Sequence, residues 1–332
     1  MTVKSIFSSL LGCWVIIVTL TVISGLVVWN TSKPVTAYAV LGANTINSTL
    51  PTPSLAPYPV FTAPSNPAIL ADEYALYNPE SGRTLLSSKK ISPVAIASTT
   101  KLMTVYLVVV ADTSKLDDYY TVSTAAVSQD PTASVMGLVA GEQITMRSLL
   151  YGTLLVSGGD AASQLAEIRG GELLGNENAT PAQKVQRFLQ EMNAEAKALH
   201  MFSANYTDPT GLDSATVATA NDLAKIMAKV ADNDVLRGII GTSDITVTDQ
   251  AGHNAQVLHN SNRLLADAPY LGIIGGKTGF TDAAGHCLVA VARRNGITLV
   301  AVILNTTADT TEASAQEARK LLDIGYNNLK LE

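Results

Sequence analysis

The sequence predicts an α+β domain, because strand-like runs lie toward both chain ends and helical segments fill the interval between them. The clearest strand signal is the pair Cys287–Arg293 and Ile297–Leu304. They are joined at Arg294-Asn295-Gly296, where Asn-Gly favours a tight hairpin. Helical segments are marked by apolar residues recurring at three- and four-residue intervals. The first runs from Ser98 to about Asp112, and Thr145–Val156, Asp160–Gly170, Pro181–Leu199 and Thr219–Val230 follow. A last helical stretch, Glu312–Leu329, lies at the C-terminus.

The chain has 332 residues, 47 % of them hydrophobic and 15 % charged, which suits a packed core and excludes the disordered class. Its net charge of −6, with no basic patch, argues against a nucleic-acid partner. Two cysteines, Cys13 and Cys287, are too few for a disulfide framework, and Cys287 reads as a small core residue. Ile6 to Trp29 is almost unbroken apolar sequence behind Lys4. About 20 apolar residues cross a bilayer, whereas a signal-peptide core runs to about 7–15. An uncleaved transmembrane helix is therefore expected, with cleavage at Ala37-Tyr38-Ala39 and secretion as the alternative. Asn30–Asn66, rich in Thr, Ser, Pro and Ala, reads as a flexible tether spanning roughly 30–35 Å. The expected organisation is a short cytoplasmic N-terminus (1–5), a membrane anchor or signal segment (6–29), an extracytoplasmic linker (30–66) and a folded domain (67–332). That domain would sit on the outer side of the cell membrane.

Three short segments carry the chemistry: Ser98-Thr99-Thr100-Lys101, Ser157-Gly158-Gly159-Asp160 and Lys277-Thr278-Gly279. A serine hydroxyl becomes a useful nucleophile only when a base removes its proton. On a helix, positions three apart share a face, so Lys101 can reach back to Ser98. A lysine acts as a base only when neutral, and burial or a second cation lowers its pKa. Lys277 is the candidate for that second cation. The beginning of a helix also offers free backbone N–H groups, which suit the oxyanion of an acyl transfer.

The order of these segments resembles the signature of penicillin-binding proteins and serine β-lactamases. From about Ala68 to the C-terminus the chain closely resembles the serine D-alanyl-D-alanine carboxypeptidases, the low-molecular-mass penicillin-binding proteins. Ala71–Lys89 looks like the family's opening hairpin, with its turn at Asn78-Pro79-Glu80-Ser81-Gly82. Ala97–Thr104, Val135–Leu138, Gly141-Glu142, Leu149–Gly152, Asp208–Asp213, His259–Leu265 and Gly276–Gly285 match further family stretches in the correct order. The resemblance implies the transpeptidase-like fold, an antiparallel sheet flanked by a helical subdomain with the site in the cleft between them. It also implies removal of the terminal D-alanine from peptidoglycan stem pentapeptides, acylation by β-lactams, and no metal or other cofactor. Carried over by position, Ser98 is the nucleophile, Lys101 its base and Ser157 the proton relay. Lys277 supplies positive field, and Thr278 and Thr281 bind the terminal carboxylate beside Gly279. The N–H groups of Ser98 and Phe280 form the oxyanion hole.

Two departures from the family pattern stand out. Gly159 occupies the place of the second motif's Asn, which costs an amide. Asn305-Thr306-Thr307 carries no cation where relatives often place an arginine. A catalytically weakened wall-binding protein is therefore the alternative function. A DD-endopeptidase uses the same chemistry. A β-lactamase would need an acid to position water, a part for which Glu172 is poorly spaced. Asp160 is expected to cap the helix that follows it. The four histidines, His200, His253, His259 and His286, have no metal-ligand spacing and read as structural or exposed.

Overall fold

Side chains alternate along β11 (Gly285–Arg294) and β12 (Ile297–Thr306), and both alternating sets are apolar. Leu288, Ala290, Leu299, Ala301 and Ile303 enter one core, whereas Val289, Val291, Val300 and Val302 enter another. A strand that is apolar on both faces has to be covered on both. The computed structural model describes residues 59–266, 268–306 and 312–330, and it supplies both covers. β10 (Ile273–Thr281), β11, β12, β2 (Ala71–Asn78) and β3 (Arg83–Ser87) form an antiparallel sheet in that spatial order. The C-terminal helix Ala313–Asn328 packs on one face. The helix Ala220–Asp232 packs on the other, and behind it gather the remaining helices, including Met146–Leu154, Gly159–Leu174 and Pro181–Ala198. The α+β class and the antiparallel sheet with a helical subdomain are thus present as expected.

Local chemistry explains where the elements stop. Asn295 and Gly296 have φ of 50° and 81°, which is the backbone of a two-residue primed turn, and they join β11 to β12. Thr145, Thr180 and Thr219 each accept a hydrogen bond from the third residue of the helix that follows, so each helix begins where an orphan N–H is met. The expected helix after Ser98 is divided. A 3₁₀ turn, Ala97–Thr100, leads into α1 (Lys101–Ala111). Val60–Phe61, inside the stretch read as linker, pairs with Leu329–Lys330. The apolar run 6–29 and most of the linker lie outside the described residues. Among the described residues no helix is long and apolar enough to cross a membrane.

β10 is an edge strand, so one row of its backbone groups has no partner strand. The Ala97–Thr100 turn packs against this strand. The loop joining α3 (Met146–Leu154, following the short helix α2, Thr124–Val127) to α4 (Gly159–Leu174) carries Ser157. The cleft lies where these three segments meet.

Candidate active site

The turn that holds Ser98 is tied by its own neighbours. Thr99 Oγ1 donates to the Ile96 carbonyl at 2.6 Å, and Thr100 Oγ1 donates to the Ala97 carbonyl at 2.8 Å. Ala97 has φ of 46°, a left-handed backbone that a non-glycine residue adopts only when its surroundings require it. Space is equally constrained on both sides. A Cβ on Gly279 would stand 3.1 Å from Ser98 N, and one on Gly211 would stand 1.8 Å from the Ala97 carbonyl oxygen. Both glycines thus let the backbone come close to the nucleophile's turn.

Burial of Leu102, Met103 and Val105 fixes the rotation of α1 and turns Lys101 inward. Lys101 is 2 % exposed. Its Nζ lies 2.9 Å from Ser98 Oγ and donates to the Thr210 carbonyl at 2.7 Å. Thr104, one turn further along, donates to the Pro209 carbonyl at 2.7 Å and holds the same loop. Asp208 organises that loop by accepting from Gly211 N, Leu212 N and Thr216 Oγ1.

Ser157 has φ of 64°, a second left-handed non-glycine residue at the cleft. Lys277, 1 % exposed, donates from Nζ to Ser157 Oγ at 2.9 Å and to the Thr278 carbonyl at 2.9 Å. The structure therefore brings Ser98, Lys101, Ser157 and Lys277 together as two lysine–serine contacts. Burial lowers the Lys101 amine to about 8, while Asp208 and Asp160 act in the opposite direction. Burial also pushes Lys277 well below the usual lysine value, and the Lys101 ammonium beside it pushes it further. The sequence reading made Lys277 the standing cation that depresses Lys101. The repulsion is mutual, however, and the two nearby acids favour charge on Lys101, so Lys277 is the more strongly discharged of the pair.

The remaining expected residues divide. Thr278 and Phe280 reach the surface of β10, and Phe280 is exposed and stacked on His286 with ring centroids 4.4 Å apart. Thr281 serves the β10–β11 turn, where its hydroxyl accepts from Ala284 N at 3.2 Å. Asp160 lies inside the first turn of α4 rather than at its cap. Its carboxylate accepts from Ala161 N and from Met136 N, Gly137 N and Leu138 N at 2.7–3.0 Å, clamping the loop beside the cleft. Cys287 is a core residue whose thiol is pushed up to about 11 by burial. Among the described residues no group of His, Cys, Asp and Glu could hold a metal ion.

Sequence reasoning missed Gln129. Its Nε2 donates to the Ala126 carbonyl at 2.7 Å and to Ser163 Oγ at 3.2 Å. Its Oε1 lies 2.8 Å from where a Cβ on Gly159 would stand. A carboxamide from another segment thus fills the room that the missing Asn side chain would enter. Only the gap at Gly159 signalled it, and nothing in the spacing pointed to residue 129.

The family model described as D-alanyl-D-alanine carboxypeptidase matches residues 60–308. The chain belongs to this family. It is 30 % identical over 301 residues to the D-alanyl-D-alanine carboxypeptidase of Streptomyces sp. (strain K15), covering 88 % of this chain and 96 % of that one. A D-alanyl-D-alanine carboxypeptidase of Mycobacterium tuberculosis is 32 % identical over 249 residues, 74 % of this chain and 76 % of its own. The crystal structure of the Streptomyces DD-transpeptidase superposes with a TM-score of 0.70 at 31 % identity, covering 80 % of this chain and 99 % of that chain.

The Gln129 contact generates a prediction for this family member. Gly159→Asn alone should not raise D-alanine release, because its side chain meets an anchored carboxamide. Gly159→Asn combined with Gln129→Ala should release D-alanine faster than Gly159→Asn alone. Steady-state assays of the two variants side by side check this.

Proposed function

We propose that this chain works as a serine D-Ala-D-Ala carboxypeptidase in which Ser98, Lys101 and Ser157 carry the chemistry and Lys277, Thr278, Gly279 and Phe280 receive the substrate. The observation that carries the reading is the 2.9 Å separation of Lys101 Nζ from Ser98 Oγ in a pocket shared with Lys277 and Ser157. Neutral Lys101 takes the Ser98 proton as Oγ bonds to the carbonyl carbon of the penultimate D-alanine. The N–H groups of Ser98 and Phe280 receive the oxyanion. The C–N bond then breaks, and the departing amine of the terminal D-alanine takes, through Ser157, the proton that Lys101 accepted. Water hydrolyses the ester and restores Ser98. β-Lactams acylate the same oxygen.

The lysine pair gives substrate binding a chemical consequence. A terminal carboxylate beside Lys277 favours its ammonium form, and repulsion then favours the neutral form of Lys101. The base is thereby prepared when a substrate carrying the right terminus is bound. The β-lactamase alternative loses its acid. Glu172 sits in the last turn of α4, roughly 20 Å along the helix from Gly159, and pairs with Lys115 and Arg169. The reading extends to peptidoglycan stem pentapeptides as substrate, a membrane anchor at 6–29, a tether from residue 30 that ends before the Val60–Phe61 strand, and a catalytic domain outside the membrane that includes that strand. It rests on the apolar length of the first segment and the composition of the second.

Two outcomes test the reading. Ser98→Ala should abolish both D-alanine release from an acyl-D-Ala-D-Ala peptide and labelling by a fluorescent penicillin. Release that persists in that variant contradicts the nucleophile. The second-order acylation rate should rise about tenfold per pH unit below about 8 and level off above it, since only the unprotonated Lys101 amine accepts the proton. A rate still climbing toward the usual lysine range would contradict Lys101 as the depressed base.

A further inference from the structure

Thr278 Oγ1 lies 2.6 Å from Ser261 Oγ, and Ser261 belongs to none of the three motif segments. Both side chains reach the surface at the cleft edge of β10. Among the described residues neither hydroxyl has another hydrogen-bond partner. Two hydroxyls in contact share one bond, so one O–H is left to donate outward.

The loop that carries Ser261 is fixed from several sides. Ser261 N donates to the Leu155 carbonyl at 3.0 Å, two residues before Ser157. Asn260 N donates to the Ser243 carbonyl at 2.7 Å and Asn260 Nδ2 to the Thr242 carbonyl at 2.8 Å. Asn262, 1 % exposed, accepts from Leu264 N at 3.0 Å. Ser261 thus bridges the second-motif loop and the Lys277-Thr278-Gly279 strand, and its hydroxyl is held in place before any ligand arrives. The sequence Asn305-Thr306-Thr307 carries no lysine or arginine, and Asn305 Nδ2 is committed to Asp72 at 2.5 Å. The Ser261 and Thr278 hydroxyls are side-chain donors on this edge, and Lys277 Nζ donates to the Thr278 carbonyl at 2.9 Å.

We propose that Ser261 is a substrate-binding residue that forms, with Thr278, a two-hydroxyl clamp for the C-terminal carboxylate of the acyl-D-Ala-D-Ala peptide. The inference rests on the carboxypeptidase reading and adds to it a residue that sets the requirement for a free terminus. A carboxylate replaces the Ser261–Thr278 bond with one donated bond from each hydroxyl to each of its oxygens. A C-terminal amide presents only one oxygen acceptor and carries no charge, so it gains far less from the same pair.

The test is equilibrium binding to the full chain carrying Ser98→Ala, which cannot turn the ligand over. The probes are an N-acylated L-Lys-D-Ala-D-Ala peptide and its C-terminal amide. Adding Ser261→Ala should weaken the acid by roughly 10–100-fold and the amide by less than about twofold, as expected for hydrogen bonds to a charged group. Ser261→Thr, which keeps the hydroxyl, should stay within about threefold of the parent for both. Equal losses for acid and amide, no loss for either, or failure of the Ser98→Ala chain to bind the acid would each overturn the clamp. D-alanine release by the chain with Ser98 intact is measured in parallel. Release together with an inert Ser261→Ala removes only the clamp, whereas absence of release removes the carboxypeptidase reading itself.

Discussion

Everything in the cleft depends on two buried lysine amines that cannot both be charged at little cost. Lys101 and Lys277 are almost fully removed from water, and each touches a serine hydroxyl at 2.9 Å. Burial disfavours each ammonium, and charge on Lys101 disfavours charge on Lys277 further. The fold supports this arrangement because the Lys101 side is fixed by the 97–100 turn, the Thr210 carbonyl and the rotation of α1. The Lys277 side is fixed by an edge strand whose neighbours are packed on both faces. A serine hydroxyl beside a lysine that holds its proton tightly would be inert, so the energetics of the pair and the reactivity of Ser98 are one question.

The carboxylates near the cleft contribute through architecture. Asp160 and Asp208 are saturated by backbone N–H groups and hydroxyls, and they hold the 136–138 and 208–212 loops against the motif segments. Their charges still reach Lys101 and keep its amine from falling further. One set of acids therefore shapes the walls and favours charge on Lys101. The left-handed residues Ala97 and Ser157 show where this shaping stores strain, one on each side of the reacting hydroxyl.

Much of this was legible in the sequence, for identifiable reasons. The Asn-Gly hairpin and the Ser98–Lys101 pairing depend on local rules of turn chemistry and i,i+3 geometry, and both appear where those rules put them. The division of the first helix into a 3₁₀ turn and α1 was not legible, because it depends on the close approach of Gly279 and Gly211 from distant segments. Gln129 and Ser261 escaped for the same reason. Each acts at a motif residue about 30 or 17 positions away, through contacts that no sequence period encodes. Asp160 was read as a cap because it follows the motif and opens a helix, yet its four N–H partners come mostly from the preceding loop. The sharing of charge between Lys101 and Lys277 depends on burial and on Asp208, and so needed three dimensions.

The most direct measurement of the central claim is an NMR titration of the lysine ε-carbons, with Lys101 and Lys277 assigned by substitution. The account predicts that Lys101 titrates near 8 and that Lys277 titrates closer to the usual lysine value once Lys101→Met removes its neighbour. Two lysines that titrate in the ordinary range, with neither moved by loss of the other, would contradict it.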